Sequence, residues 1–292
     1  MIMKKALAIF MIAALFLLIA TAMAVAKPEK PTPATDVELV KKVTLKGPKG
    51  QGKPATSATG VPIPLGEGKN KYAIVIGISD YPGTENDLNF ADDDAIDMYN
   101  ALVNKYGFLE ENVHLLINSN ANYSAIESAV NAVKQKANEG DEVVFFFSGH
   151  GARGKANDGD KEAIDEAIVS HDGKNLVYIW DGELRDWFRD FKTTRIVFIF
   201  DSCLAGGMTD LKADGRIIVM ATTENGVAYE FSDLENGQFT YYFVDEGMLQ
   251  GMADTTPNDG NVTVEEAFDY AKANCIYQSP TISDSFTNDL LL

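Results

Sequence analysis

The chain has 292 residues, with 25 Lys and Arg against 43 Asp and Glu, so its formal charge is −18. Apolar residues make up 46 %, too many for a mostly disordered chain, and the acidic field argues against nucleic acid as a partner. Two cysteines and three scattered histidines (His114, His150, His171) exclude a disulfide scaffold and a structural zinc site.

In chain order, Lys4 and Lys5 precede an uncharged apolar run over residues 6–20, and small residues follow up to Ala24 and Ala26. This pattern predicts a secretory signal over residues 1–26, cut before Lys27, and a secreted or cell-surface protein. The competing reading is an uncleaved anchor, because residues 6–26 carry no charge and are about long enough to span a bilayer. Membrane contact is expected only in that case. Residues 27–70 hold seven of the ten prolines and six glycines, the composition of a linker between signal and domain. A pro-segment covering an active site is the alternative, and the alternation over residues 37–45 suits one strand at the domain edge.

Residues 71–292 read as one α/β domain. Continuous apolar runs at residues 73–78, 113–117, 143–147, 196–200 and 217–220 predict strands covered on both faces. Between them, Ile96, Tyr99, Leu102 and Val103 recur at helical spacing, as do Ile126, Val130 and Val133. Leu184, Trp187, Phe188 and Phe191 mark a further helix, with Asp181 placed to cap it. Thr263-Val-Glu-Glu266 is a capping box that opens a last helix. Strands alternating with helices predict a mostly parallel central sheet flanked by helices, a three-layer sandwich.

Two of these strands end in polar residues that their apolar bodies do not explain. One runs into Ser148-Gly-His150-Gly151, the other into Asp201-Ser-Cys203. Reactive groups in open parallel sheets collect beyond the carboxyl ends of strands, where loops diverge. A thiolate from Cys203 can attack a carbonyl there, with His150 as general acid and base. Small neighbours let backbone N–H groups approach the developing oxyanion, and those of Gly151 and Cys203 are the candidates. A buried structural cysteine and a histidine that merely satisfies a loop carbonyl are the plain alternatives, as is a disulfide between Cys203 and Cys275.

Ser148-Gly-His150-Gly151, followed 53 residues after the histidine by Asp201-Ser-Cys203, resembles the caspase-like cysteine peptidases, and among them the metacaspases. The resemblance runs from Tyr72 to the end of the chain and takes in residues 73–81, Asp158-Gly-Asp160, residues 165–169 and residues 238–242. It implies the caspase-like sandwich and a cysteine endopeptidase acting on protein or peptide substrates. It also implies a pocket for the residue before the cut, built from Asp94, Ser148 and Asp201. Two carboxylates there attract Arg or Lys and repel acidic side chains. Asp94 can equally be a helix N-terminal acid, and Arg153 and Lys155 beside the catalytic loop keep an acidic-residue preference open. A catalytically silent caspase-fold interaction module is the rival from another class.

The chemistry needs no cofactor. The resemblance does imply calcium activation, at positions matching Asp165, Asp181 and Asp210. Gly182 stands where a second acid is frequent, with Glu183 next to it, and calcium takes roughly six to eight oxygens. Residues 255–261, leading to Glu266, imitate a calcium loop only faintly, since Thr255 and Pro257 fill the first and third ligand positions.

Overall fold

The computed structural model describes residues 34–47, 52–157 and 162–292. The expected signal segment 1–26 and the Asp158-Gly-Asp160 stretch lie outside them. All the described residues fall in one compact unit.

The elements, in chain order, begin with three short strands, β1 (Thr35–Val40), β2 (Val43–Leu45) and β3 (Pro62–Ile63). Then come β4 (Lys71–Gly77), α1 (Ala91–Asn104), β5 (Val113–Ile117), α2 (Tyr123–Lys136) and β6 (Glu142–Ser148). A meander follows, with β7 (Gly151–Lys155), β8 (Asp165–His171) and β9 (Leu176–Trp180) leading into α3 (Asp181–Phe188). Beyond β10 (Ile196–Asp201) and β11 (Arg216–Met220) lie the short β12 (Tyr229–Phe231) and β13 (Asn236–Gly237). One turn of helix, α4 (Gln238–Thr240), runs on as a π-helix over Tyr241–Leu249. The chain closes with α5 (Val264–Asn274), β14 (Thr281–Asp284) and β15 (Asp289–Leu290).

The five predicted apolar runs are β4, β5, β6, β10 and β11. They form one sheet in the order β14-β11-β10-β6-β4-β5, parallel throughout except for β14. Successive side chains on a strand point to opposite faces, so each run feeds two cores. Phe145, Phe147, Phe198 and Phe200 pack with α2 and α3 on one face. Val144, Phe146, Val197 and Ile199 pack with α1, the π-helix and α5 on the other. That is why the runs are continuous: neither face meets water. The capping box at α5 is present, with the Thr263 hydroxyl accepting the Glu266 N–H at 3.2 Å and Glu266 accepting the Thr263 N–H at 3.0 Å.

Two details differ from the sequence reading. Asp181 does not cap α3; Trp180 holds the cap position without a side-chain bond, and Asp181 is the first helical residue. The described part of the Pro/Gly-rich stretch is not a free tether. β1 and β2 add to the sheets of β7 and β12, and residues 57–61 give their backbone N–H groups to two carboxylates. Asp269 accepts from Ser57 and Ala58, and the buried Asp289 accepts from Thr59, Gly60 and Val61. A segment poor in apolar side chains is held here by backbone hydrogen bonds, which composition does not reveal.

Candidate active site

β6 and β10 are adjacent and parallel, with Ser148 level with Asp201 in the register. Both strands therefore end at the same height, and their next residues deliver His150 and Cys203 to one edge of the sheet. Gly151 is required there: a Cβ on it would sit 1.9 Å from the Cys203 carbonyl oxygen. The same contact brings the Gly151 and Cys203 backbones together. Just after the cysteine, Leu204 adopts a left-handed conformation (φ 61°), uncommon for a side chain of its size, and turns the chain into the 3₁₀ segment Ala205–Leu211. The Leu204 N–H donates to the Gly226 carbonyl at 2.8 Å, which holds this turn.

His150 is fixed on three sides. Its ring stacks on Tyr81 with centroids 4.8 Å apart, and its backbone N–H donates to the Tyr81 hydroxyl at 3.0 Å. That hydroxyl donates in turn to the Val169 carbonyl. The imidazole Nε2 lies 2.8 Å from the Asn86 carbonyl oxygen. A carbonyl only accepts, so Nε2 carries the proton and Nδ1 is left as the base. Nδ1 is buried and has no hydrogen-bond partner among the described residues. Burial, helped by the Lys42 and Lys41 charges, lowers the imidazole to about 4 against the opposing Asn86 bond.

Cys203 is 1 % exposed and its Sγ accepts the Ala228 N–H at 3.2 Å. Burial raises the thiol to about 11, although the Ala228 N–H and the charge of Lys42 oppose this. The pair is thus a neutral thiol and a neutral imidazole at pH 7. Cys275 is also buried and both thiols are free, so no disulfide joins them.

Asp94, Ser148 and Asp201 do converge. All three are fully buried, and they surround the ammonium of Lys42, whose side chain is inaccessible as well. Lys42 Nζ lies 3.0 Å from Asp201 Oδ1, 3.5 Å from Asp94 Oδ2 and 2.9 Å from Ser148 Oγ. Ser148 donates to Asp94 at 2.5 Å, and the Gly237 N–H donates to the other Asp94 oxygen at 2.8 Å. Thr240 holds Asp201 through its N–H and its hydroxyl. Burial raises Asp94 well above the usual carboxylate range, with Lys42 opposing and Asp201 reinforcing. Burial alone would lower Lys42, but Asp201 and Asp94 outweigh it and hold the ammonium above its ordinary value. Asp92 in the same first turn of α1 has a separate task, bonding Ser79 and Asn118.

The three expected metal ligands do not gather as one set. Asp165 accepts the Ala156 N–H at 2.8 Å, and Asp210 is paired with Arg185. Asp181 does join an acidic cluster, but with Glu162 and Glu166, which offer oxygens within 4.8 Å of one another. Burial raises Glu166 to about 8, reinforced by Glu224, Glu162 and Asp165. Arg153 and Lys155, the cations held open for acidic substrates, are paired with Glu38 and Asp36 of β1.

A family model described as the caspase domain matches residues 70–291. The chain belongs to the caspase-domain peptidases. Metacaspases are among its relatives: Metacaspase-4 of Arabidopsis thaliana is 38 % identical over 148 residues, 48 % of this chain and 34 % of that protein. Metacaspase-7 of Arabidopsis thaliana is 33 % identical over 173 residues, 56 % of this chain and 42 % of that one. Metacaspase-1 of Schizosaccharomyces pombe is 31 % identical over 154 residues, 50 % of this chain and 36 % of the relative. The chain thus spans less than half the length of each. A Geobacter sulfurreducens protein of known crystal structure shares the fold, with a TM-score of 0.54 at 16 % identity over 73 % of this chain and 92 % of that one.

Sequence reasoning missed Asn86, Gly237, Thr240 and Lys42. The first two act through backbone atoms, which leave no side-chain signature. Thr240 lies within the stretch 238–242 that carries the family resemblance, but its role depends on where that turn meets β10.

Proposed function

We propose that this caspase-domain protein is an exported cysteine endopeptidase that cuts after Arg or Lys. One observation carries the specificity: a lysine ammonium sits between two buried carboxylates and a serine hydroxyl beside Cys203. Asp94 and Asp201 would hold the guanidinium or ammonium of a substrate in the same way. An acidic side chain would meet like charge with no water to screen it. Arg153 and Lys155 pair with Glu38 and Asp36, which weighs against an acidic-residue preference.

In this mechanism Nδ1 of His150 takes the proton of the Cys203 thiol. The thiolate attacks the carbonyl carbon of the residue whose side chain fills the pocket, and the oxyanion meets the N–H groups of Gly151 and Cys203. The His150 imidazolium then protonates the leaving amine, and the C–N bond breaks to leave a thioester. Water, deprotonated by His150, hydrolyses that thioester and restores the thiol. Asn86 and Tyr81 keep the imidazole in the required tautomer and plane.

The acidic cluster fits a hard dication, with Glu162, Glu166 and Asp181 as ligands in place of the expected Asp165 and Asp210. Calcium would neutralise their mutual repulsion. Glu166 also packs on Gly207, four residues beyond Cys203, where a Cβ would fall 2.0 Å from its Oε2, so the cluster adjoins the nucleophile loop.

The test uses fluorogenic peptides ending in Arg, Lys or Asp, with calcium or chelator present, on the wild type and Cys203→Ala. Arg and Lys cleavage absent from Cys203→Ala is the expected result. Cleavage after Asp overturns the pocket, and activity retained by Cys203→Ala overturns the nucleophile. Detection of the chain outside the cell, beginning at Lys27, tests export.

A further inference from the structure

The pocket proposed for a substrate's basic side chain is already filled by the chain itself. Residues 35–45 cross the active site as a strap, with β1 paired to β7 on one side and β2 paired to β12 on the other. Between the two strands, Lys42 drops into the pocket. Val40 packs against the cluster of Cys203, Leu204 and Ala228, and Lys41 Nζ donates to the Glu85 carbonyl.

The direction of the strap matters as much as its position. In a substrate, the residue after the pocket residue supplies the leaving amine, which must lie beside His150 to receive a proton. His150 immediately precedes β7. A productive peptide therefore leaves the pocket toward β7 and approaches it from the other side. The strap does the reverse. Its residues before Lys42 lie on β7, with Val40 level with Gly151, and its residues after Lys42 run along β12. The Val43 N–H, the amine a cut after Lys42 would release, is bonded to the Ala228 carbonyl at 3.1 Å.

We propose that residues 35–45 are a built-in inhibitor of this enzyme. Lys42 occupies the specificity pocket on a segment that runs opposite to a substrate, so it blocks the site and is not itself cut at Lys42–Val43. This rests on the endopeptidase reading above. It makes the enzyme one that acts only after the strap lifts, and it makes the strap's hold on β7 and β12 the point at which activation is controlled.

The experiment compares the full chain with Lys42→Ala, Lys42→Arg and Val43→Pro, the last of which removes the N–H bonded to Ala228 and leaves the pocket intact. Three readouts are taken: cleavage of an Arg peptide, the rate at which iodoacetamide alkylates Cys203, mapped by mass, and the intact mass after incubation. Lys42→Ala and Val43→Pro should each raise peptide cleavage and Cys203 alkylation about tenfold or more, because the competent fraction rises. Lys42→Arg should stay blocked, and no chain should show a cut at Lys42–Val43. Equal alkylation in wild type and both loosened variants overturns the inhibitor, whether or not any chain cuts peptides. A Cys203-dependent cut at Lys42–Val43 overturns it as well, since the strap would then be a substrate. Faster alkylation without peptide cleavage upholds the strap as a cover and overturns the endopeptidase reading alone.

Discussion

His150 Nε2 lies 2.8 Å from the carbonyl oxygen of Asn86, and this single bond decides which ring nitrogen is the base. With Nε2 holding the proton, Nδ1 is the atom left to take one from Cys203. His150→Ala should lower kcat/KM by roughly 10²- to 10⁴-fold, the range of general acid–base catalysis. Steady-state kinetics on an Arg peptide measure it, and a loss under fivefold would remove His150 from the chemistry.

The raised thiol predicts a pH dependence. Cys203 sits at about 11 because its thiolate is desolvated, so the protonated form dominates at neutral pH. Its thiolate absorbance, read as the difference between wild type and Cys203→Ala, should still be rising at about pH 10 without levelling. A plateau near the ordinary thiol value of roughly 8.5 would show that the thiolate is not desolvated.

Asp201 is the pocket carboxylate nearest the ammonium, at 3.0 Å, and Thr240 anchors it twice. Asp201→Asn, made on the Lys42→Ala background so that the strap's own ammonium is absent, keeps the shape and removes the charge. A charged hydrogen bond of about 1.5–3 kcal/mol corresponds to a fall of roughly ten- to a hundredfold in kcat/KM for Arg peptides. The ratio of Arg to Met peptides reports it, and an unchanged ratio would place the specificity elsewhere.

Glu166 stands at about 8 because burial and its acidic neighbours disfavour its charge. A bound dication reverses that cost. Calcium should raise the melting temperature, with about 2.7 kcal/mol available at a hundred times Kd, and Glu166→Gln should lose most of the rise. Thermal unfolding with calcium, magnesium or chelator checks this. Equal shifts in both chains would rule out the cluster.

Phe198 is fully buried and meets Phe145, Phe188 and Phe200, with the Arg216 guanidinium over its ring. Phe198→Ala should cost about 3–5 kcal/mol, read from urea denaturation.

The sheet was legible because burial on both faces writes itself into each strand as a continuous apolar run. The α5 capping box was legible because its partners are three residues apart. Cys203 and His150 stood out for a similar reason: each follows a buried strand whose apolar body gives no cause for a polar end.

What sequence alone could not show is where distant segments meet. Lys42 is 52 residues from Asp94 and 106 from Ser148, so nothing local marks it as the cation of their pocket. Glu166 likewise meets Asp181 because β8 and β9 pair with Ala167 level with Trp180. Asn86 reaches His150 through a backbone carbonyl, a group every residue carries. The layered sheet and the two reactive residues follow from local pattern, and so could be read along the chain. Which groups surround them, and that a strap from the same chain lies across them, follows from long-range contacts, which depend on register and packing rather than on composition.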